Sequence, residues 1–278
     1  MTAARDYEAE YNNSRRVPEF PAIAARWQSA SNAYRRRARA RLDVPYGAGE
    51  RQRYDLFETG EAAAPLLVYL HGGYWQEGDR TLYAHLADAF NARGVRVAIP
   101  SYSLCPAVEV AEIVAEIQRF LGVLWRETSA RPLLVGHSAG GHLTAAMLAT
   151  DWTAVPEVPG DLIAAGVPIS GVFDLEPLVT TSINRALRLD RERARRVSPL
   201  RWPRPAGART VLAVVGAEES AEFRRQSREL CRQWAAPGWE TECLEVAGAN
   251  HFTVIDELAR AGSALQERVL ALARERSP

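Results

Sequence analysis

One serine of the chain lies between two glycines, at the end of an apolar run and the start of an Ala- and Leu-rich segment. The run that begins at Leu133 is strand-like and leads directly into Gly136-His-Ser138-Ala139-Gly140. A strand that reverses into a helix at such a serine forms a nucleophile elbow, from which the hydroxyl projects. Glycine is needed on both sides because larger side chains would collide with the packed helix. Ser138 is therefore a candidate nucleophile, and the Ala139 N–H, at the positive end of a helix, is a candidate donor to an oxyanion.

A serine hydroxyl becomes a good nucleophile only when a base removes its proton, so Ser138 requires an imidazole nearby. Among the five histidines, His251 alone lies on a predicted loop between the last predicted strand and the final helix. An acid that orients this imidazole should lie between the two in the chain, in the order serine, acid, histidine. Glu218 and Glu219 are adjacent there, and Asp174 is a weaker candidate that follows an earlier strand. The residues by themselves leave the choice between the two glutamates open.

A second glycine pair follows the apolar run 66–70, in the sequence His71-Gly-Gly73-Tyr74-Trp. Glycines at the end of a strand allow the backbone to fold so that its N–H groups point inward. We therefore expect the N–H of Gly73 or Tyr74 to join that of Ala139 in an oxyanion hole.

Composition and charge exclude several other classes of protein. Of the 278 residues, 47% are hydrophobic and 24% are charged, as is typical of globular proteins. The 34 basic and 34 acidic residues leave no net field for nucleic acid or an anionic membrane, and the arginine run 35–39 is interpreted as a solvated helix face. Three cysteines without close spacing and no apolar run of spanning length predict a soluble, cytoplasmic protein.

Metal and cofactor sites are not predicted. His137 and His142 are five residues apart, which places them on different faces of a helix, and no cysteine or carboxylate cluster has ligand spacing. No phosphate-binding glycine loop is present either. We expect a hydrolase that uses neither metal nor cofactor.

Strand and helix patterns alternate along most of the chain and predict a mostly parallel central sheet covered by helices on both faces. Together with the elbow at Ser138, this sheet predicts an α/β-hydrolase fold. We expect one domain over residues 1–278. Residues 1–45, read as an extended piece over 8–18 and a helix over 21–42, and the strandless insertion 174–205 are expected to form a small cap. The predicted strands are 51–57, 66–70, 95–99, the elbow strand, 163–169, 211–216 and 241–246, with 51–57 at the sheet edge. The main predicted helices are 81–93, 107–127, 143–150, 220–234 and 255–275.

Several motifs together resemble the α/β-hydrolase type of kynurenine formamidase (arylformamidase). These are HGGYWQ at 71–76, GHSAGGH at 136–142, ISGVFDL at 169–175, ESAEF at 219–223 and NHF at 250–252, and the opening segment YNNSRRVP at 11–18 is also similar. The resemblance implies hydrolysis of the N-formyl group of N-formyl-L-kynurenine through a formyl-serine. It also favours Glu219 as the acid, since the family's acid precedes a Ser-x-Glu-Phe. Several members have Asp there, so the side chain of Glu219 is one methylene longer.

Four aromatic residues flank the catalytic motifs and are expected to form a slot for a planar ring: Tyr74, Trp75, Phe173 and Phe252. The same machinery would also hydrolyse small aryl esters, so a carboxylesterase or amidase acting on another aryl substrate is the alternative. A non-catalytic binding protein on a hydrolase scaffold is disfavoured, because nucleophile, base, acid and both parts of the oxyanion hole are all present. A small-molecule substrate is the expected partner, and a homodimer stays open.

Overall fold

A mostly parallel sheet of eight strands runs through residues 5–275, the part of the chain that the computed structural model describes. The strands are β1 (Ala40–Pro45), β2 (Arg53–Phe57), β3 (Leu66–Leu70), β4 (Arg96–Pro100), β5 (Leu133–His137), β6 (Ala165–Ile169), β7 (Arg209–Gly216) and β8 (Trp239–Val246). Their order across the sheet is β1-β2-β4-β3-β5-β6-β7-β8. The pairs β1–β2 and β2–β4 are antiparallel and the others are parallel.

Helices cover both faces of this sheet. They are α1 (Tyr7–Tyr11), α2 (Asn13–Arg16), α3 (Phe20–Arg37), α4 (Ala84–Asn91), α5 (Val110–Thr128), α6 (Ala139–Leu148), α7 (Asn184–Leu187), α8 (Arg191–Arg196), α9 (Ala221–Trp234), α10 (Asp256–Ala259) and α11 (Ala264–Arg274). One buried core includes side chains of α5, α6 and α9, and a second core, on the other face, includes those of α3, α4 and α11. Every residue of β3, β5 and β6 is buried, as expected for central parallel strands covered on both faces.

The predicted alternation of strands and helices is confirmed, but the first 45 residues differ from the prediction. Residues 8–18 are not extended and contain α1 and α2, and α3 ends at Arg37, so that the chain can enter β1 as the edge strand of the sheet. β1 was missed because it is largely exposed, and therefore lacks the apolar run that marks the central strands. β2 is consequently the second strand rather than the edge. Residues 1–4 of the predicted cap lie outside the described residues.

The insertion 174–205 contains no strand, as predicted, and holds only short helices such as α7 and α8. It is joined to the N-terminal segment: the Ser182 N–H and hydroxyl both donate to the Glu8 carboxylate, each at 2.7 Å. These short elements lie beyond the carboxyl end of β6. The elbow, which follows the parallel neighbour β5, lies at the same edge of the sheet. Among residues 5–275, no helix has the length and apolar character required to cross a bilayer.

Candidate active site

Ser138 lies at the junction of β5 and α6 in a strained backbone conformation, with φ 55° and ψ −116°. The two flanking glycines permit this turn. A Cβ atom on Gly136 would overlap the carbonyl oxygen of Gly140, and one on Gly140 would overlap that of Leu70. The close approach of α6 to β3 and β5 therefore requires both glycines, and the predicted strand–elbow–helix geometry is present.

The structure brings Ser138, His251 and Glu219 into one chain of hydrogen bonds. His251 Nε2 is 3.1 Å from Ser138 Oγ, and His251 Nδ1 is 2.6 Å from Glu219 Oε2. A carboxylate can only accept, so the ring proton is assigned to Nδ1, and Nε2 is free to take the serine proton. All three side chains are buried. Glu218, the rival acid, is exposed.

Asp174, the weaker alternative for the acid, lies away from this chain of hydrogen bonds. Its carboxylate is 2.9 Å from a guanidinium nitrogen of Arg201, in the insertion. Of the three predicted acids, Glu219 alone contacts the imidazole of His251.

Two residues without a predicted role hold the members of this chain in place. Glu219 Oε1 accepts hydrogen bonds from the Ser170 hydroxyl at 2.5 Å and from the Gly216 N–H at 2.7 Å. His137 Nε2 donates to the carbonyl oxygen of His251 at 2.7 Å. Their signals in the sequence were slight: Ser170 directly follows a buried strand, and His137 is the unspecified position of the elbow motif.

The turn after β3 is the segment predicted to supply the second part of an oxyanion hole. Gly73 has φ 115° and Tyr74 has φ 48°, so the chain bends sharply beside the elbow. A side chain on Gly73 would collide with the backbone of Glu77, which explains why glycine is needed there. Within the described chain, the N–H groups of Gly73, Tyr74 and Ala139 donate to no other protein group, and they are therefore available to an oxyanion.

A cavity of about 270 Å³ opens above Ser138 and His251. Its remaining wall is formed largely by the turn after β3 and by the N-terminal segment, which contributes Asn13, Ser14, Phe20 and Ala24. No residue of the described insertion 174–205 lines it. The cap over this cavity is therefore the N-terminal segment, and the insertion supports that segment from the side.

The N-terminal segment is fixed to the catalytic loops by polar and aromatic contacts. The Tyr74 hydroxyl donates to the carbonyl oxygen of Tyr11 at 2.5 Å and accepts from the Asn13 amide at 3.3 Å. Phe20 stacks on Phe252, with ring centroids 3.9 Å apart and planes 20° apart. The stacked pair forms part of the cavity wall beside His251.

Two of the four members of the predicted aromatic slot line the cavity. Tyr74 and Phe252 do, whereas Trp75 and Phe173 are fully buried in the core and absent from the cavity wall. Trp75 has φ 58°, and its ring packs edge-to-face on His142 with centroids 4.9 Å apart. The aromatic residues that do face the cavity with Phe252 include Phe20 and Tyr83, which are distant in the chain.

The other histidines around the site are neutral. Burial lowers the pKa of His71 and of His142 to about 4 in each case, and it lowers the pKa of His137 well below the usual range. His137 also lies beside His251, whose protonation would further oppose a second charge. Among residues 5–275, no group of three or more His, Cys, Asp or Glu side chains is arranged to hold a metal ion.

Comparison with known proteins agrees with this geometry. A family model for the alpha/beta hydrolase fold matches residues 67–255. The kynurenine formamidase of Danio rerio is 30% identical over 91% of this chain and 90% of its own, and that of Drosophila melanogaster is 32% identical over 77% and 75%. A provisionally assigned thioesterase from Silicibacter sp. TM1040 is 33% identical, with a TM-score of 0.87 over 96% of this chain and 100% of its own. The chain therefore belongs to the α/β-hydrolase fold and, within it, to the kynurenine formamidase family.

Proposed function

We propose that this protein is an arylformamidase that hydrolyses the N-formyl group of N-formyl-L-kynurenine, with Ser138, His251 and Glu219 as its catalytic residues. The observation that carries the proposal is the unbroken chain of hydrogen bonds from Glu219 through His251 to Ser138, beside N–H groups that have no partner in the described chain. The substrate is inferred from the relatives, because this chain matches two kynurenine formamidases over 90% and 75% of their length.

In the first half of the reaction, Ser138 Oγ attacks the formyl carbon while His251 Nε2 takes the hydroxyl proton. The resulting oxyanion accepts hydrogen bonds from the Ala139 N–H and from the Gly73 or Tyr74 N–H. The carbon–nitrogen bond then breaks, and the proton on Nε2 passes to the arylamine nitrogen. The products of this half are free kynurenine and a formyl ester on Ser138.

Water completes the cycle. His251 Nε2 removes a proton from a water molecule that attacks the formyl carbon of the ester, and the second oxyanion occupies the same hole. The serine–carbon bond breaks, Ser138 Oγ recovers its proton from Nε2, and formate leaves. Throughout, the buried Glu219 carboxylate stabilises the imidazolium and keeps the ring proton on Nδ1.

The decisive experiment compares kcat/KM for N-formyl-L-kynurenine with kcat/KM for a short aryl ester, in the natural sequence and in Ser138→Ala. We expect efficient release of formate and kynurenine, and a loss of roughly 10⁵-fold or more in Ser138→Ala, because the nucleophile acts together with its base. A preference for the ester by several orders of magnitude would reject the formamidase assignment, and retention of activity in Ser138→Ala would reject the mechanism.

One observation supports a second candidate function, the hydrolysis of small aryl esters or thioesters. The Silicibacter relative, provisionally assigned as a thioesterase, matches this chain over nearly its whole length. Esters and thioesters are more reactive than anilides towards a serine nucleophile, so the same residues would suffice. In the comparison above, rapid hydrolysis of the ester with negligible release of kynurenine is the result that favours this second candidate.

We infer that the enzyme is cytoplasmic and acts on a small aryl formamide or ester. In support, the three cysteines of the chain are free thiols. Free thiols are typical of proteins from reducing compartments.

A further inference from the structure

An unpaired carboxylate stands at the cavity, in the same turn that supplies the oxyanion N–H groups. Glu77 is exposed and lines the cavity, and its backbone N–H is fixed to the Gly73 carbonyl at 3.0 Å. Among the described residues, its carboxylate has neither a hydrogen bond nor an ion pair. The next acid along the chain, Asp79, is by contrast 2.8 Å from the Ser101 hydroxyl and also pairs with Arg51.

No arginine or lysine among residues 5–275 lines this cavity, so no positively charged side chain on its described wall balances Glu77. Arg51 and Arg80 are near in the fold but are already engaged: Arg51 donates to the Gly78 carbonyl at 2.5 Å, and Arg80 pairs with Asp43 and Asp55. The other polar groups of the wall are amides, hydroxyls and imidazoles.

One cationic side chain does lie in an adjoining groove. Arg16 is exposed there, beyond Asn13 and His251, but Glu19 and Glu218 line the same groove. The local charge around Arg16 is therefore negative overall, and this groove does not offer a matched site for an anion.

The negative charge of Glu77 affects groups on the cavity wall. Tyr83, on the cavity wall, has a pKa raised first by burial and then by the negative charge of Glu77. A charged group of the substrate that enters the cavity would experience the same field. Opposite charge would be attracted and like charge repelled, with partial screening because Glu77 is open to solvent.

We propose that Glu77 is a specificity-determining residue, which binds a cationic amine on the substrate and makes the enzyme prefer aryl substrates that carry an ammonium group. For formanilides this inference rests on the proposed function. The ammonium of the amino-acid group of N-formyl-L-kynurenine would face Glu77, and its carboxylate would be directed towards solvent. A substrate whose side chain ends only in a carboxylate would be disfavoured.

The test uses three formanilides that share one ring and one ortho acyl chain, which ends in an ammonium, a methyl or a carboxylate group. Three phenyl acetates with the same chains form a parallel series. The proteins are the natural sequence, Glu77→Gln, Arg16→Gln and a matched control, Glu50→Gln. Glu50 is likewise an exposed glutamate, and it does not line the cavity. Ratios of kcat/KM between substrates are compared within each protein, so that any general loss of activity cancels.

We expect the natural sequence to prefer the ammonium substrate to the carboxylate substrate. Glu77→Gln should reduce that preference by about fivefold, mainly through KM, as the upper range for an exposed ion pair indicates. The preference should also weaken at high salt. Glu50→Gln and Arg16→Gln should leave the ratio within about twofold.

An unchanged ratio in Glu77→Gln, or an equal change in Glu50→Gln, would overturn the inference, as would control of the ratio by Arg16 instead. The two series separate this inference from the proposed function. If no formanilide is hydrolysed but the phenyl acetates show the charge preference and its loss in Glu77→Gln, the formamidase proposal fails and the role of Glu77 stands. If all formanilides react without charge preference, the role of Glu77 is rejected and the formamidase proposal stands.

Discussion

Replacing Glu219 by glutamine tests the acid of the proposed triad with almost no change in shape. The carboxylate accepts from three donors: Ser170 and Gly216 on Oε1, and His251 Nδ1–H on Oε2. A glutamine has one oxygen and one NH₂ group. Because the Gly216 N–H belongs to the backbone and cannot turn away, the amide oxygen must remain beside it. The NH₂ group must then face His251.

The substitution changes the tautomer of His251. Facing an NH₂ donor 2.6 Å away, Nδ1 must become an acceptor, so the ring proton moves to Nε2. Nε2 then points a hydrogen at Ser138 Oγ and cannot accept the serine proton. A triad acid changed to its amide in this way loses about 10⁴-fold in kcat, which corresponds to about 5 kcal/mol. The loss of the imidazolium's negative partner acts in the same direction.

The assay measures kcat at saturating N-formyl-L-kynurenine and, independently, with a phenyl ester, so that it does not depend on the physiological substrate. Glu218→Gln is the matched control, since this exposed neighbour changes in the same chemical way and should keep kcat within about twofold. Thermal unfolding of both variants checks that the fold is intact. If Glu219→Gln keeps more than a tenth of kcat, or if Glu218→Gln loses as much, the tautomer argument is refuted.

Three further changes test the surroundings of the site. Ser170→Ala removes a hydroxyl donor to the Glu219 carboxylate, so kcat should fall roughly 10- to 100-fold. Ser227→Ala removes a buried hydroxyl that has no hydrogen-bond partner among residues 5–275, so it should keep kcat. Equal losses of kcat in the two variants would contradict this prediction. Gly140→Ala places a methyl group against the Leu70 backbone, so urea unfolding should show a loss of about 3 kcal/mol or more, and Gly122→Ala, which meets nothing closer than 3.8 Å, should show none. Burial lowers the pKa of His142 from 6.5 to about 4, so the native state binds fewer protons than the unfolded chain between those values. The contribution of neutral His142 to the free energy of unfolding is complete above pH 6.5. It decreases as the pH falls from 6.5 through 4, by up to about 1.4 kcal/mol per pH unit. The measurement is urea unfolding at pH 7, 6 and 5, and a free energy of unfolding that stays flat over this range would contradict the argument.

The strands whose burial is complete were the easiest part of the fold to predict. β3, β5 and β6 are continuous apolar runs because both of their faces are covered, and such runs are visible without any structure. β1 lies at the edge and is largely exposed, so its residues carry no such pattern and it was missed. The same reason explains the short helices before α3, which are held by contacts with distant elements rather than by their own periodicity.

In the candidate site, too, some residues could be predicted from local patterns and others could not. The elbow around Ser138 could be predicted because a strained turn restricts which residue types can occupy it. His251 could be predicted because it lies on the loop after the last predicted strand, in the order serine, acid, histidine. Neither Ser170 nor His137 could be assigned a role, since their partners, Glu219 and the carbonyl group of His251, are far from them in the chain. Trp75 and Phe173 were placed at the substrate because they flank catalytic motifs, yet adjacency in the chain does not determine which way a side chain points.

The sequence by itself predicted the candidate nucleophile and base and the sheet that carries them. Glycines in a tight turn and apolar runs in buried strands are local requirements of the backbone, and the candidate base follows from the order of the motifs along the chain. Only the tertiary structure decided which glutamate reaches His251, which aromatic rings line the cavity, and that the N-terminal segment rather than the insertion covers it. These outcomes depend on distances between residues far apart in the chain, such as Phe20 and Phe252, whose rings stack 3.9 Å apart. No local pattern encodes such a contact, because it exists only once the sheet has brought the separate segments together.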